Sequence, residues 1–188
     1  NAAWALLDAR SVLRGSNRRL SSANFGQLKL VAADAAEDDI FGHSVAIDGD
    51  TIVVGTYYME AVYVLRTTDG GATYDEVAKL TASDAVNGDK FGRSVAIDGD
   101  TIVIGAYEDD DGGTRAGAAY VFRTSDGGTT YVEVAELTAS DASADDNFGS
   151  SVAIAGGTIV VGSARDDHAW CTDRYDDDAQ EAVDCNPG

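Results

Sequence analysis

The sequence predicts an all-β chain built of four-stranded antiparallel blades, an incomplete ring of the β-propeller kind. Three observations predict it. FGHSVAIDGD at 41–50 returns as FGRSVAIDGD at 91–100 and, altered, as FGSSVAIAGG at 148–157. Aligned on Phe41, Phe91 and Phe148, the periods are 50 and 57 residues, the spacing of propeller blades and related arrays. Within each unit, short β-branched runs alternate with Gly- and Asp-containing turns, and no helical period is present. The chain divides into an N-terminal helical or extended segment at 1–23, a repeat region at 24–164 and an acidic, cysteine-bearing tail at 165–188.

The N-terminal segment carries four of the thirteen basic residues, Arg10, Arg14, Arg18 and Arg19, beside Trp4, Leu6, Leu7, Val12 and Leu13. That pattern reads as a short amphipathic helix ending near Gly15, either a docking helix or pro-segment or a helix folded on the domain's own surface. The chain opens at Asn1 rather than Met, from which we expect a segment upstream that was removed by processing or lies outside this sequence.

Residues 25–34, FGQLKLVAAD, match the fourth strand and exit of a unit, as KLTASD does at 79–84. The first three strands of that blade are expected to be missing. In the first full unit, Ser44–Ile47 and Thr51–Gly55 form a hairpin around Asp48-Gly49-Asp50, because glycine accepts the positive φ of a tight turn. AVYVLRT at 61–67 and YDEVAKLTA at 74–82 supply the third and fourth strands. The second unit repeats all four at 94–97, 101–105, 118–124 and 131–139. It also inserts EDDDGGTRAG, residues 108–117, between its second and third strands, which places that loop on the surface. The third unit keeps its first two strands, at 151–154 and 158–162, and then passes into the tail.

Composition bounds the function. The chain has 188 residues, 44% of them hydrophobic, enough for a folded core. Against 33 Asp and Glu stand 13 Lys and Arg, and the net charge of −20 repels nucleic acids and anionic membranes. No apolar run reaches the roughly 20 residues a membrane span needs, so no direct membrane insertion is expected. Cys171 and Cys185 are expected to close one disulfide, worth about 3 kcal/mol through loop entropy.

The letters FGxSVAIDGDTIVVG and GAAYVF resemble the FG-GAP repeat family, the blades of integrin α-subunit propellers and of many microbial and algal surface proteins. The resemblance covers residues 25–164 and implies a propeller, typically of about seven blades. It also implies calcium, which the family often holds in a DxDxDGxxD loop. Here the corresponding turns are only Asp48-Gly49-Asp50 and Asp98-Gly99-Asp100, too few oxygens for the six to eight that calcium takes. Better candidates for Ca2+ are Asp109, Asp110 and Asp111 in the inserted loop, or the blade-linking turns. There Asp34 and Asp39, Asp84 and Asp89, and Asp141 and Asp146 recur five apart. The competing reading makes all of these solvated turn residues that cap backbone N–H groups. A second resemblance lies at Thr67–Tyr74 and Thr124–Tyr131, which look like the Asp-box of sialidase and sortilin type propellers, a structural turn remote from catalysis.

Nothing resembles a catalytic set. His43 fills a slot taken by Arg93 and Ser150 in the sister units, and no GxSxG, HExxH or P-loop accompanies it. We therefore expect a non-enzymatic, extracytoplasmic interaction or adhesion module, secreted or on a cell surface. Its partners would be a protein, a glycan or further copies that complete the unfinished blades. The alternative is an accessory propeller of a glycan- or lipid-hydrolysing enzyme. Contact residues are expected among Tyr57, Tyr58 and Met59, the 108–117 loop, and Trp170.

Overall fold

The computed structural model describes residues 3–7, 26–34 and 39–166. Cys171, Cys185 and Trp170, and with them the expected disulfide, lie outside the described residues. Twelve strands are present among these residues and every pairing is antiparallel. Strands β1 (Ala3–Leu7) and β2 (Gly26–Leu30) form a two-stranded sheet. Strands β3 (Ser44–Asp48), β4 (Thr51–Gly55), β5 (Val62–Arg66) and β6 (Asp75–Leu80) form the first full blade in simple meander order. The second blade consists of β7 (Phe91–Asp98), β8 (Thr101–Ala106), β9 (Ala118–Arg123) and β10 (Val132–Leu137). A hairpin of β11 (Phe148–Ala155) and β12 (Thr158–Ser163) ends the array. Among the described residues the architecture is a partial β-propeller without a closed ring, as the repeats predict.

In the opening segment, read as helical or extended, Ala3–Leu7 is a strand, while the rest of the helix reading, up to Gly15, lies outside the described residues. One expectation is corrected: β2 has a partner rather than standing alone. Ala3 lies opposite Leu30, as Val62 lies opposite Leu80 and Ala119 opposite Leu137. Thus β1 is the third strand, and β2 the fourth, of a blade whose first two strands are not among the described residues. A free strand edge offers a row of backbone hydrogen bonds, and that ladder outweighs a weak helical pattern.

Two cores lie between successive units. The face of the first blade bearing Val53, Val64 and Leu80 packs against Phe91, Ile102, Ile104, Tyr120 and Phe122 of the second. Its opposite face, with Phe41, Ile52, Val54, Tyr63 and Leu65, receives Leu30 and Ala32. Alternate residues of one strand thus serve different interfaces, so Ile52 and Val54 face one way and Val53 the other. A blade is buried on both sides, which explains the continuous apolar run in TIVVG.

The repeated letters build the joint between units. The Ser44 hydroxyl donates to the Gly92 carbonyl at 2.7 Å, and Ser94 repeats the bond to Gly149 at 2.7 Å. Gly55 and Gly105 lie against those same carbonyls, where a Cβ would overlap backbone. At the hairpin tips, Asp48 accepts from the Gly99 N–H at 2.7 Å and Asp98 from the Gly156 N–H at 2.6 Å. The Asp-Gly-Asp turns therefore tie blade to blade. Ahead of each Phe-Gly pair the chain kinks, with Ile40, Lys90 and Asn147 all at positive φ (48°, 64° and 59°).

Both Asp-boxes form as the sequence suggests. Asp69 accepts from the Thr73 N–H at 2.9 Å and from the Thr73 and Thr67 hydroxyls at 2.8 Å each. Asp126 makes the same set with Thr130 and Thr124.

Candidate functional site

Two side-chain clusters stand out from this frame. The first gathers where the chain enters the first strand of each blade. Tyr57 stacks edge-on against Tyr58 at 4.7 Å and against His43 at 5.1 Å between ring centroids. Lys90 Nζ lies 5.5 Å from the Tyr57 centroid and 6.0 Å from that of Tyr58. The Arg93 guanidinium lies between the Tyr57 and Tyr107 rings, 5.9 and 5.7 Å from their centroids, and also bonds to His43 Nε2. Burial, reinforced by Arg93, holds the His43 imidazole below its usual pKa. A neutral ring can accept that bond. Burial likewise pushes Tyr107 up to about 12, with Glu108 and Tyr57 adding to the shift. In a chain of net charge −20, cations over aromatic faces mark a local exception, and Tyr58 is largely exposed. Met59 is placed differently: it packs on the core beside Tyr63, whose hydroxyl lies 3.8 Å from its sulfur.

The second cluster is an acidic corner of the second blade. Carboxylate oxygens of Asp84, Asp111 and Glu136 lie within 4.8 Å of one another. Buried Asp109 joins them through Tyr120, whose hydroxyl is 2.8 Å from Asp109 and 3.0 Å from Asp84. One phenolic hydrogen cannot serve two carboxylates at once. The charge of Asp109, with burial and Asp84, raises the Asp111 carboxyl, while burial first and then Asp111, Asp84 and Asp109 raise Glu136. Burial of Tyr120 beside two carboxylates pushes its hydroxyl far above the ordinary phenol range.

The first blade contains the same corner with the charge balanced. There Tyr63 donates to Asp34 at 2.6 Å and Lys79, in the place of Glu136, bonds Asp34 at 2.5 Å. The Lys79 ammonium and the Tyr63 hydroxyl hold Asp34 below the usual carboxylate range.

Of the predicted metal candidates, the structure brings together Asp84, Asp109 and Asp111. Asp110 and Asp89 cap backbone groups: Asp110 accepts from Arg115 N–H at 2.7 Å and Asp89 from Val86 N–H at 2.8 Å. Burial, then the charges of Asp109, Glu60 and Asp110, still raises the Asp89 carboxyl. Glu136 was missed. The signal for it was the contrast of VAKLTA with VAELTA, where a lysine in one blade becomes a glutamate in the next. All four clustered groups are hard carboxylate oxygens, a donor set that fits Ca2+ and not a soft metal.

Compared with curated proteins, the chain matches none. The FG-GAP repeat matches three times, over residues 25–74, 74–122 and 131–181, each match beginning on or just before a fourth strand. The third runs beyond residue 164, into the segment read as tail. Repeats of this kind form β-propeller-type protein-interaction modules. Given matches over most of its length and blades joined by the very residues that define the repeat, the chain belongs to the FG-GAP repeat family.

Proposed function

We propose that the chain is a non-enzymatic, extracytoplasmic module for adhesion or surface assembly, which captures its ligand through the loop ends around Tyr57. The observation that carries this reading is the Tyr57, Tyr58, Lys90 and Arg93 cluster. Exposed tyrosine and arginine repay desolvation better than other side chains, which is why they dominate binding hot spots. A ligand with a carboxylated or otherwise acidic glycan or peptide surface suits the two cations. The test is binding of the intact chain to arrayed glycans and extracellular proteins, repeated with Tyr58→Ala and Arg93→Ala. A hit weakened more than about tenfold by both variants supports the reading. Turnover of a glycoside or ester panel by the chain alone would replace it with the enzyme alternative.

A second reading adds a cofactor. Glu136 in the place of Lys79 favours a Ca2+ ion held by Asp84, Asp111 and Glu136, with Asp109 behind them, supplying the positive charge that the first blade takes from lysine. Bound there, the ion would fix the inserted loop against the blade-linking turn. Calorimetric titration with CaCl2, and with Glu136→Lys as control, tests it.

A further inference from the structure

We propose that Asn87-Gly88 is a self-modifying site, at which Asn87 is converted to aspartate and isoaspartate through a succinimide, with Glu60 taking the proton. The inference goes beyond ligand capture at Tyr57 and does not depend on it.

The pair forms the centre of a tight turn. The Asp89 N–H donates to the Val86 carbonyl at 3.3 Å, and the Val86 N–H donates to the Asp89 carboxylate at 2.8 Å. Asn87 is exposed between them. Gly88 sits at φ 120°, and a Cβ there would meet nothing within 4 Å, so the space around this peptide bond is open. Ring closure needs the main-chain nitrogen that follows the asparagine to reach its side-chain carbonyl. Glycine has no side chain to obstruct that approach and turns most freely about its backbone. Of the six asparagines, at 1, 17, 24, 87, 147 and 186, only Asn87 precedes glycine.

The fold does not require this pair. The turn at 141–146 has the same bonds, from the Asp146 N–H to the Ser143 carbonyl at 3.3 Å and from the Ser143 N–H to the Asp146 carboxylate at 2.7 Å. There Ala144-Asp145 stands in place of Asn87-Gly88, and the 34–39 segment has Glu37-Asp38. Asp145 carries its side chain at φ 70°, where Gly88 carries none. Both nitrogens are anchored to the loop between the second and third strands of the blade before, but to different groups. The Asp145 N–H donates to the main-chain carbonyl of Thr114 at 2.8 Å, whereas the Gly88 N–H donates to the Glu60 carboxylate at 2.7 Å. A carboxylate within hydrogen-bond reach can take the proton that the attacking nitrogen must lose, and a main-chain carbonyl cannot.

The reaction balances with water as its only co-reactant. The Gly88 nitrogen bonds to Cγ of Asn87, its proton passes to Glu60 and on to the departing amide group, and ammonia leaves. Water then opens the ring. Breaking the bond from nitrogen to the side-chain carbonyl gives aspartate. Breaking the bond to the main-chain carbonyl gives isoaspartate, which routes the chain through the side-chain carbons. Either product ionises and adds a negative charge to a turn that already bears Asp84 and Asp89, the latter within the field of Glu60. Three residues on, Lys90 lies over the Tyr57 and Tyr58 rings, so the conversion alters the turn that presents it.

The experiment is incubation of the intact chain near neutral pH, with peptide mass spectrometry at intervals and chromatographic separation of the isoaspartyl form. The peptide containing Asn87 should gain about 1 Da, the exchange of an amide for an acid. The peptide containing Asn147, which is buried and precedes Phe148, should not change. Gly88→Asp, which installs the residue of both sister turns, should abolish the gain and leave the circular dichroism spectrum and melting temperature unaltered. Glu60→Gln keeps an acceptor for the Gly88 N–H but holds a proton poorly, and should slow the conversion at least about tenfold. An Asn87 that converts no faster than Asn147, over the time in which the free peptide DAVNGDK is consumed, overturns the inference. Conversion that Glu60→Gln leaves unchanged or speeds overturns the assignment of the proton to Glu60, whose bond would then restrain the nitrogen.

Discussion

Glu136 occupies in the second blade the position that Lys79 occupies in the first, each opposite the tyrosine that reaches the blade-linking aspartate. Lys79 closes its corner with a 2.5 Å ion pair to Asp34, whereas Glu136 meets Asp84 and Asp111. The cross-strand pairing with tyrosine is the same in both, so a change of sign at this position tests the electrostatics. Glu136→Lys should stabilise the chain at neutral pH by about 0.5–1 kcal/mol, the scale of an exposed ion pair, as measured by urea denaturation. It should also abolish any stabilisation by Ca2+. A variant no more stable than the parent would mean that solvent already screens the corner.

The same corner fixes the pH response. Asp89, Asp111 and Glu136 all have raised folded-state pKa values. For each of them the folded chain binds its proton more tightly than the unfolded one, so their contribution to stability falls as pH rises through the range just above the ordinary carboxylate value. Asp34 and Asp69 are shifted the other way, Asp69 to about 2 by the Thr73 N–H and the Thr67 and Thr73 hydroxyls. Their contribution is complete above about pH 4 and disappears only as pH falls through the depressed values. The melting temperature should therefore rise as acidification from pH 7 approaches the ordinary carboxylate range of about 4, and fall again below about 3. Saturating Ca2+ at pH 7 should remove the rise. A melting temperature that falls steadily from pH 7 downward would show that the corner is not under repulsion.

The blades were legible because a strand buried on both faces and a tight turn write themselves locally: TIVVG and Asp-Gly-Asp need no distant partner to be recognised. The Asp-boxes were legible for the same reason, being closed by side chains within a few residues. What the sequence hid were relationships between copies. Asp48 reads as a turn residue, and only the neighbouring blade shows it holding Gly99. Tyr57 and Arg93 are 36 residues apart, and nothing in either segment announces that their side chains meet. AWALL by itself does not decide between helix and strand, and its pairing with the edge of β2 does.

Asp98 tests whether the hairpin tips hold the units together. Its carboxylate accepts from the Gly156 N–H at 2.6 Å across the joint. Asp98→Ala should cost about 1 kcal/mol, the net worth of one such bond, and speed hydrogen exchange at Gly156. Asp98→Asn keeps an acceptor oxygen and should recover most of the loss. Equal losses in the two variants would assign the effect to the turn conformation rather than to the bond.

Gly105 tests the joint at its tightest point. A Cβ there would overlap the Gly149 carbonyl and the Ser94 hydroxyl, and neither backbone can retreat without breaking the β7–β8 ladder or the bulge that carries Gly149. Gly105→Ala should therefore destabilise by about 3 kcal/mol, the upper end for overpacking a closed interface. Gly162→Ala is the matched control, since among the described residues the only group in overlap is the Ser151 hydroxyl, which can rotate away. Its cost to the folding of one chain should stay below about 1 kcal/mol. If Gly105→Ala and Gly162→Ala cost the same, then the glycines serve the strands that contain them, and the joint is held by its apolar faces alone.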